Sequence, residues 1–209
     1  MISGVRLGPG GAAEHYALTP DLATFGKVIG GGMPVGGFGG PRELMRQLAP
    51  EGGVYQAGTL SGNPVAMTAG LTTLNYLRAQ RGWDALEALG GYLEERLARV
   101  LETSPVPACV VRIGSIFWIA WASSAAPRSA EAIDARAPRY YAQVFHGLLR
   151  RGIALAPSAY EVGFLSLAHT AKDVDRLADG LGEVVEALGA ESGSDAAHTP
   201  ADERGGSEA

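Results

Sequence analysis

The sequence has little cysteine: Cys109 is the single one among 209 residues. One thiol cannot form an intramolecular disulfide, and it cannot supply a cysteine-rich metal site. The four histidines are scattered, without a pair at the spacing that metal ligands take on a helix. This composition excludes a disulfide framework, and it predicts a protein without a structural metal.

Long apolar runs are also missing. The longest, residues 116–122, is far shorter than the roughly 20 residues that cross a bilayer. The N-terminus lacks the charged start and apolar core of a signal peptide. The net charge is -5, and no cluster of Lys and Arg forms a basic stripe. These absences predict a cytoplasmic protein that binds neither nucleic acid nor membrane.

Lysine is scarce as well, because Lys27 and Lys172 are the only lysines among 17 basic residues. Chemistry that needs a primary amine therefore has two side chains to choose from. Lys27 stands between apolar residues and glycines, whereas surface lysines normally have polar neighbours. Partial burial would lower the pKa of its ammonium group and make the amine a better nucleophile toward an aldehyde. The alternative is a lysine whose aliphatic stem lies along apolar surface at the end of a strand.

The apolar pattern divides the chain into residues 1–82, 83–189 and 190–209. The first part is rich in glycine, with short apolar runs that need a covering sheet and an Ala- and Leu-rich helix over 65–77 that suits a buried position. The second part reads as a self-consistent α+β unit. The third part has almost no apolar anchor, which predicts a disordered tail.

Apolar residues at three- and four-residue spacing predict three amphipathic helices in the second part. Their faces are Leu86, Leu89, Leu93, Leu97 and Val100; Tyr141, Val144, Phe145 and Leu148; and Val174, Leu177, Leu181, Val184 and Leu188. Short apolar runs predict strands over residues 109–112, 116–122, 153–155 and 164–168.

Three sets of residues predict helix ends. Asn63 followed by Pro64 is typical of an N-cap with proline at the first helical position. Gly152 suits the position just past a helix C-terminus. Thr170 with Asp173 resembles a capping box.

Two segments are candidates for a binding site. Residues 55–64 place Gly, Thr and Ser before a predicted helix start, where hydroxyls and free N–H groups favour a phosphate. The alternative there is ordinary capping by Ser61 or Asn63. Glu161 is an acid among apolar and small residues, and it either faces a site or is an exposed turn residue.

Three ordered segments together resemble the class III aminotransferases. Residues 19–36 (TPDLATFGKVIGGGMPVG) resemble the segment that bears the cofactor lysine. Residues 54–64 (VYQAGTLSGNP) and 156–170 (APSAYEVGFLSLAHT) resemble stretches of the glutamate-1-semialdehyde 2,1-aminomutase branch. The resemblance implies an α/β fold of the fold-type I PLP transferases, truncated: the C-terminal part of the large cofactor domain with an interdomain helix, and the small α+β domain.

The resemblance also implies roles for single residues. Pyridoxal phosphate would be the cofactor, and Lys27 would form the internal Schiff base with it and move protons between substrate carbons. Gly58 and Thr59 would bind the phosphate, Thr59 that of the neighbouring subunit, which implies a homodimer. Tyr55 and Glu161 would face a small amino substrate, with Glu161 where many relatives have an arginine for a carboxylate. The family reaction is an isomerisation that gives 5-aminolevulinate for porphyrin synthesis.

Family members also have a long N-terminal part with an aspartate that pairs with the cofactor's pyridine nitrogen. The resemblance here begins just after that aspartate, so we expect a fragment, and whether it is active or inactive alone stays open. Two alternatives stay open: another class III aminotransferase acting on an amino acid or ω-amine, and a non-catalytic remnant that acts through dimerisation.

Overall fold

A computed structural model of the chain describes residues 4–195, with side chains described through residue 188. The described chain is a mixed α/β structure, as the sequence predicts. Its helices are α1 Gly11–His15, α2 Arg42–Met45, α3 Pro64–Ala79, α4 Gly82–Glu102, α5 Ala137–Arg150 and α6 Ala171–Asp195. Its strands are β1 Ala23–Gly26, β2 Gly36–Gly39, β3 Ala108–Ile113, β4 Ile116–Trp121 and β5 Gly163–Phe164. Two 3₁₀ helices, Lys27–Gly30 and Ala130–Ala132, complete the regular structure of these residues.

The described chain divides into two compact units. The first unit contains residues up to Gly91 with two short later pieces, Ile113–Ile116 and Leu165–Ala168. The second unit contains Tyr92–Arg112, Phe117–Phe164 and the chain from His169 onward.

In the first unit, β1 and β2 pair antiparallel, with Ala23 opposite Gly39 and Gly26 opposite Gly36. The 3₁₀ helix Lys27–Gly30, called the Lys27 turn below, follows β1 directly and packs on α3. Asn63 caps α3, because its Oδ1 accepts hydrogen bonds from the N–H groups of Val65 and Ala66, each at 3.1 Å. The predicted N-cap and helix start at Pro64 are therefore confirmed.

The second unit is built around α5, α6 and most of α4, together with a sheet in the order β3-β4-β5. The predicted helix faces form its core: Leu93, Leu97, Val144, Leu148, Val174 and Leu181 are all at most 2% exposed. The predicted ends of α5 and α6 are confirmed too. Gly152, at φ 72°, and Ile153 bond back to the carbonyls of Leu149 and Leu148, which is the Schellman pattern. Thr170 donates its N–H to Asp173 Oδ2 at 2.8 Å.

Three sequence predictions differ from the structure. Helix α3 is not buried: Ala66 and Gly70 are its buried residues, while Val65, Met67, Leu71 and Tyr76 are exposed. Its closest contacts with the Lys27 turn are made at Gly70, Ala69 and Thr73, so these large apolar side chains are not covered there. Residues 153–155 form no strand, and β5 is limited to Gly163–Phe164, since strands need a ladder partner that local sequence does not supply. Helix α6 continues to Asp195, so the predicted tail begins as helix, while its residues 196–209 lie outside the described part.

Candidate functional site

Lys27 is the first residue of its 3₁₀ turn and has an unusual backbone conformation. Its φ is 59°, in the left-handed region that side chains other than glycine rarely adopt. Gly26 before it is fully extended, and Gly31 after the turn is left-handed as well, at φ 58°. Such backbone strain is concentrated at functional sites, where the surrounding structure holds it in place.

The structure corrects one expectation about Lys27. Partial burial was predicted from its apolar neighbours, but the side chain is exposed, and burial falls instead on Gly26 and Gly30. Within the turn, Val28 and Ile29 are half-buried while Lys27 stays at the surface. The lysine side chain therefore lies at the surface of the first unit.

The loop of residues 55–63 leads directly into α3. Two turns shape it: the N–H of Ser61 bonds the carbonyl of Gly58 at 2.9 Å, and the N–H of Asn63 bonds that of Leu60 at 3.1 Å. Tyr55 is 84% exposed, and Thr59 is exposed as well. The capping interpretation is thus correct for Asn63, whose side chain accepts hydrogen bonds from the first N–H groups of α3. A phosphate here would therefore have to be bound by the N–H and hydroxyl groups of the loop.

Glu161 is an exposed turn residue, whose N–H bonds the carbonyl of Ser158 at 3.1 Å. Two aromatic side chains anchor its loop. Trp118 on β4 donates its indole N–H to the carbonyl of Ala159 at 2.7 Å, and Tyr141 on α5 donates its hydroxyl to the carbonyl of Ala156. Burial, with the negative charge of Glu161 adding to it, raises the pKa of Tyr141. The loop that presents Glu161 is therefore fixed by the second unit's own sheet and helix.

The predicted site residues fall in both units. Lys27, Tyr55, Gly58 and Thr59 belong to the first unit, and Glu161 belongs to the second. Sequence reasoning missed Trp118 as an anchor, and it placed Tyr141 on a helix face only. One feature of the sequence could have indicated them. Trp and Tyr combine an aromatic ring with a polar N–H or O–H group that usually finds a hydrogen-bond partner when it is buried, and both residues lie in elements next to a polar turn.

The residues of the first unit fit an aldehyde-bearing phosphate ester such as pyridoxal phosphate. An aldehyde needs a primary amine, and the exposed residue Lys27 carries one. A phosphate needs hydroxyl and backbone donors, and Thr59 and its loop expose them. A Cβ at Gly58 would lie 3.0 Å from Ser61 Oγ, so glycine keeps the loop open to an approaching group.

The described residues contain neither a cluster of metal ligands nor a helix that spans a membrane. Among the described residues, no group of three or more His, Cys, Asp and Glu lies close enough together to hold a metal ion. None of the helices in this part of the chain is long and apolar enough to cross a membrane.

A family model described as "Aminotransferase class-III" matches residues 4–185. Two curated relatives are glutamate-1-semialdehyde 2,1-aminomutases. The one from Geotalea daltonii is 46% identical over 178 residues, and the one from Thermomicrobium roseum is 45% identical over 177 residues. Each alignment covers 84% of this chain and 41% of the relative. The chain thus spans about two fifths of the length of these relatives.

Solved structures show the same relationship. A β-phenylalanine aminotransferase from Variovorax paradoxus superposes with a TM-score of 0.81 at 32% identity, over 90% of this chain and 43% of that one. A variant glutamate-1-semialdehyde aminomutase from Pseudomonas aeruginosa in complex with PMP gives a TM-score of 0.77 at 26% identity, over 88% of this chain and 43% of that one.

Proposed function

Since the chain belongs to the class III aminotransferase family, we propose that it works as part of a glutamate-1-semialdehyde 2,1-aminomutase. The observation that carries the proposal is its 42–46% identity to curated aminomutases over 84% of its length. The exposed Lys27, with a left-handed backbone at the first residue of its 3₁₀ turn, supports it from the structure.

The family consists of pyridoxal-phosphate-dependent enzymes, and the fold predicted from the sequence, that of a fold-type I PLP transferase, is confirmed by the solved relatives. When bound, this cofactor supplies an electron-withdrawing ring that stabilises negative charge on a substrate carbon. The chain's own residues attach it, orient it and move the protons.

Lys27 is the residue to which we assign covalent attachment. Its Nζ would hold the cofactor through a covalent bond to the aldehyde carbon, with water as the leaving group. When it is not joined to the cofactor, the same amine would act as the base that moves protons between substrate carbons. Lys172, at the start of α6, is the chain's other lysine, and we assign it no role.

Gly58 and Thr59 are assigned to the cofactor phosphate. The Thr59 hydroxyl and the backbone of its loop supply hydrogen-bond donors at the surface, and in our proposal they serve the cofactor of a second copy of the chain. This assignment makes the working form a homodimer. Tyr55, at 84% exposed, is free to contact that copy's substrate.

Glu161 is assigned to substrate recognition. A carboxylate attracts an amine and repels a carboxylate, so it selects a small amino substrate without a second acid at that end. Glutamate semialdehyde, with an amine and an aldehyde on adjacent carbons, meets this requirement. The mildly acidic composition with one cysteine favours the cytoplasm as the site of the reaction.

Two other functions are kept as outcomes of the same experiment. Another class III aminotransferase, acting on an amino acid or an ω-amine, is favoured by the likeness to a solved ω-transaminase from Sphaerobacter thermophilus, with a TM-score of 0.76 at 32% identity. The other alternative is a non-catalytic remnant that acts through dimerisation.

The test is to incubate the 209-residue chain with glutamate-1-semialdehyde and pyridoxamine phosphate and to measure 5-aminolevulinate. We expect product that is lost in Lys27→Ala and kept in Lys172→Ala, which makes the same change at the other lysine. Product that survives Lys27→Ala contradicts the proposal. Amino transfer to a keto acid without 5-aminolevulinate supports the aminotransferase, and a dimer in sedimentation that makes neither product supports the remnant.

A further inference from the structure

The strained backbone of Lys27 raises the question of what holds it. A lysine at φ 59° would relax to an ordinary conformation unless neighbouring groups fixed the turn on both sides. The Lys27 turn contacts β1, β2 and α3, and α3 is the longest of these elements. The helix is therefore the rigid surface against which the turn is placed.

Two glycines mark where the turn and α3 touch. A Cβ at Gly31 would overlap Thr73 Oγ1 and lie 2.5 Å from the carbonyl oxygen of Ala69, both on α3. In the opposite direction, a Cβ at Gly70 of α3 would overlap the carbonyl oxygen of Ile29 in the turn. The two backbones are thus in direct contact, at a distance that only glycine allows.

The close contact is specific to these positions in α3 and the turn. Gly32, the next glycine after Gly31, has no neighbour within 4 Å at its Cβ position, and neither does Gly91 on α4. Glycine costs helix stability relative to alanine, so Gly70 in the middle of α3 needs a reason other than helix formation. The contact with the Ile29 carbonyl supplies that reason.

We propose that Gly70 and Gly31 are positioning residues that clamp the Lys27 turn onto α3 and so fix the place of the Lys27 amine. The clamp rests on the proposed function of Lys27, and it adds how that lysine is held. It replaces the apolar burial that normally fixes a catalytic side chain, since Lys27 is exposed and its turn buries little apart from glycine.

The clamp has a consequence for the phosphate loop. Asn63 caps α3 at the end of the loop that carries Thr59, and Gly70 lies seven residues further along the same helix, or about 10 Å at 1.5 Å per residue. Helix α3 therefore contacts the Lys27 turn at Gly70 and also follows directly on the loop that carries Thr59. A displacement of the turn from α3 moves Lys27 relative to that loop.

The experiment compares the two lysines within one chain. The 209-residue protein is incubated with pyridoxal phosphate and reduced with borohydride, and peptide mass mapping gives the ratio of label on Lys27 to label on Lys172. In Gly70→Ala, we expect the ratio to fall by at least about tenfold, because the turn is pushed off the helix. In the matched control Gly91→Ala, we expect the ratio of the unsubstituted protein.

A milder pair of variants covers the case in which Gly70→Ala does not fold. Thr73→Ala removes the side chain that faces Gly31 and introduces no overlap, whereas Thr72→Ala makes the same change one residue earlier, on the exposed surface. We expect a fall of about twofold to fivefold in the ratio for Thr73→Ala and none for Thr72→Ala, with unchanged helical circular dichroism for both.

The outcomes separate the clamp from the function on which it rests. If the unsubstituted protein labels Lys172 as readily as Lys27, the proposed function of Lys27 fails. If Lys27 is labelled preferentially and the ratio is unchanged in folded Gly70→Ala and in Thr73→Ala, the clamp is overturned. The clamp is supported if Lys27 loses label while Lys172 does not, and if the loss is larger in Gly70→Ala than in Thr73→Ala.

Discussion

The segment between Tyr16 and Tyr76 and the second unit are stabilised by different means. Among residues 4–188, all of the exposed large hydrophobic side chains except Leu149 and Tyr160 lie in that segment. Conversely, all of the buried hydrophobic residues except Ala66, Leu86, Ile116 and Leu165 belong to the second unit. The second unit is stabilised by a core of packed side chains, whereas the segment between Tyr16 and Tyr76 is stabilised by backbone pairing and by close contacts at glycines.

The difference shows that apolar sequence and apolar burial are separate properties. Helix α3 is as rich in Ala and Leu as a core helix, yet Leu71 is 63% exposed. Helix α6 has a similar number of apolar residues, but they lie on one face, and Leu181 is fully buried against its neighbours. A core forms where apolar residues share a face and another element covers that face.

The largest expected effect compares two leucines in these helices. Leu181→Ala opens a cavity in the second unit and should lower the free energy of unfolding by about 3 kcal/mol. Leu71→Ala makes the same change on the exposed face of α3 and should stay within about 0.5 kcal/mol. Urea unfolding followed by circular dichroism measures both, and an equal loss in the two variants would show that α3 is covered in solution.

The second prediction compares two helical glycines, Gly147 in α5 and Gly91 in α4. A Cβ at Gly147 of α5 would lie 2.7 Å from Val184 Cγ2 of α6, so Gly147→Ala should destabilise by about 1–3 kcal/mol through overpacking. Gly91→Ala meets no atom and should be neutral or should stabilise by up to about 1 kcal/mol. If both alanines stabilise, α5 and α6 are not closely packed at this point.

The third prediction concerns the anchors of the Glu161 loop. Tyr141→Phe removes only the hydroxyl that bonds the Ala156 carbonyl and should cost about 1 kcal/mol, with faster amide exchange at Glu161. Tyr160→Phe, at a 61% exposed side chain, is the matched control and should change neither quantity. Exchange at Glu161 that is the same in both variants would mean that Tyr141 does not hold the loop.

The smallest effect is a pH dependence of the contact between α4 and α6. The hydrogen bond from the Tyr92 hydroxyl, at 2.6 Å, and that from Arg96 lower the pKa of Asp175. Because the folded pKa lies below the ordinary value near 3.9, the stabilisation is present above about pH 4 and is lost as the pH falls through the lowered pKa. Asp175→Asn should therefore lower the Tm at pH 7 and flatten its fall below pH 4. If the Tm of Asp175→Asn falls below pH 4 as steeply as that of the unsubstituted protein, the loss of stability in acid comes from other carboxylates.

Local chemistry was enough to predict the helices of the second unit, and the helix ends at the start of α3, the end of α5 and the start of α6. Each of these predictions depends on residues within about one turn of helix from each other, so both partners of the interaction are close in the sequence. They are the periodic leucines and valines, the Asn63 cap, the left-handed Gly152 and the Thr170–Asp173 pair. The family resemblance of the three segments was likewise readable without coordinates, and the family match over residues 4–185 confirms it.

What the sequence did not predict depends on distant neighbours. The exposure of Lys27, the missing strand at residues 153–155 and the exposed face of α3 are all set by what packs against them. The contact between Gly70 and the carbonyl of Ile29 joins residues 41 positions apart, and a glycine in a helix does not show on its own which backbone approaches it. The anchoring of the Glu161 loop by Trp118 is a contact of the same kind.

The central claim is that Lys27 is the amine that carries the cofactor, and an absorption titration tests it most directly. Pyridoxal phosphate is added to the 209-residue chain, to Lys27→Ala and to Lys172→Ala, and the spectrum of the bound cofactor is followed. The account predicts a saturable protein-bound band in the unsubstituted chain and in Lys172→Ala, and none in Lys27→Ala. A band of the same strength in Lys27→Ala would contradict it.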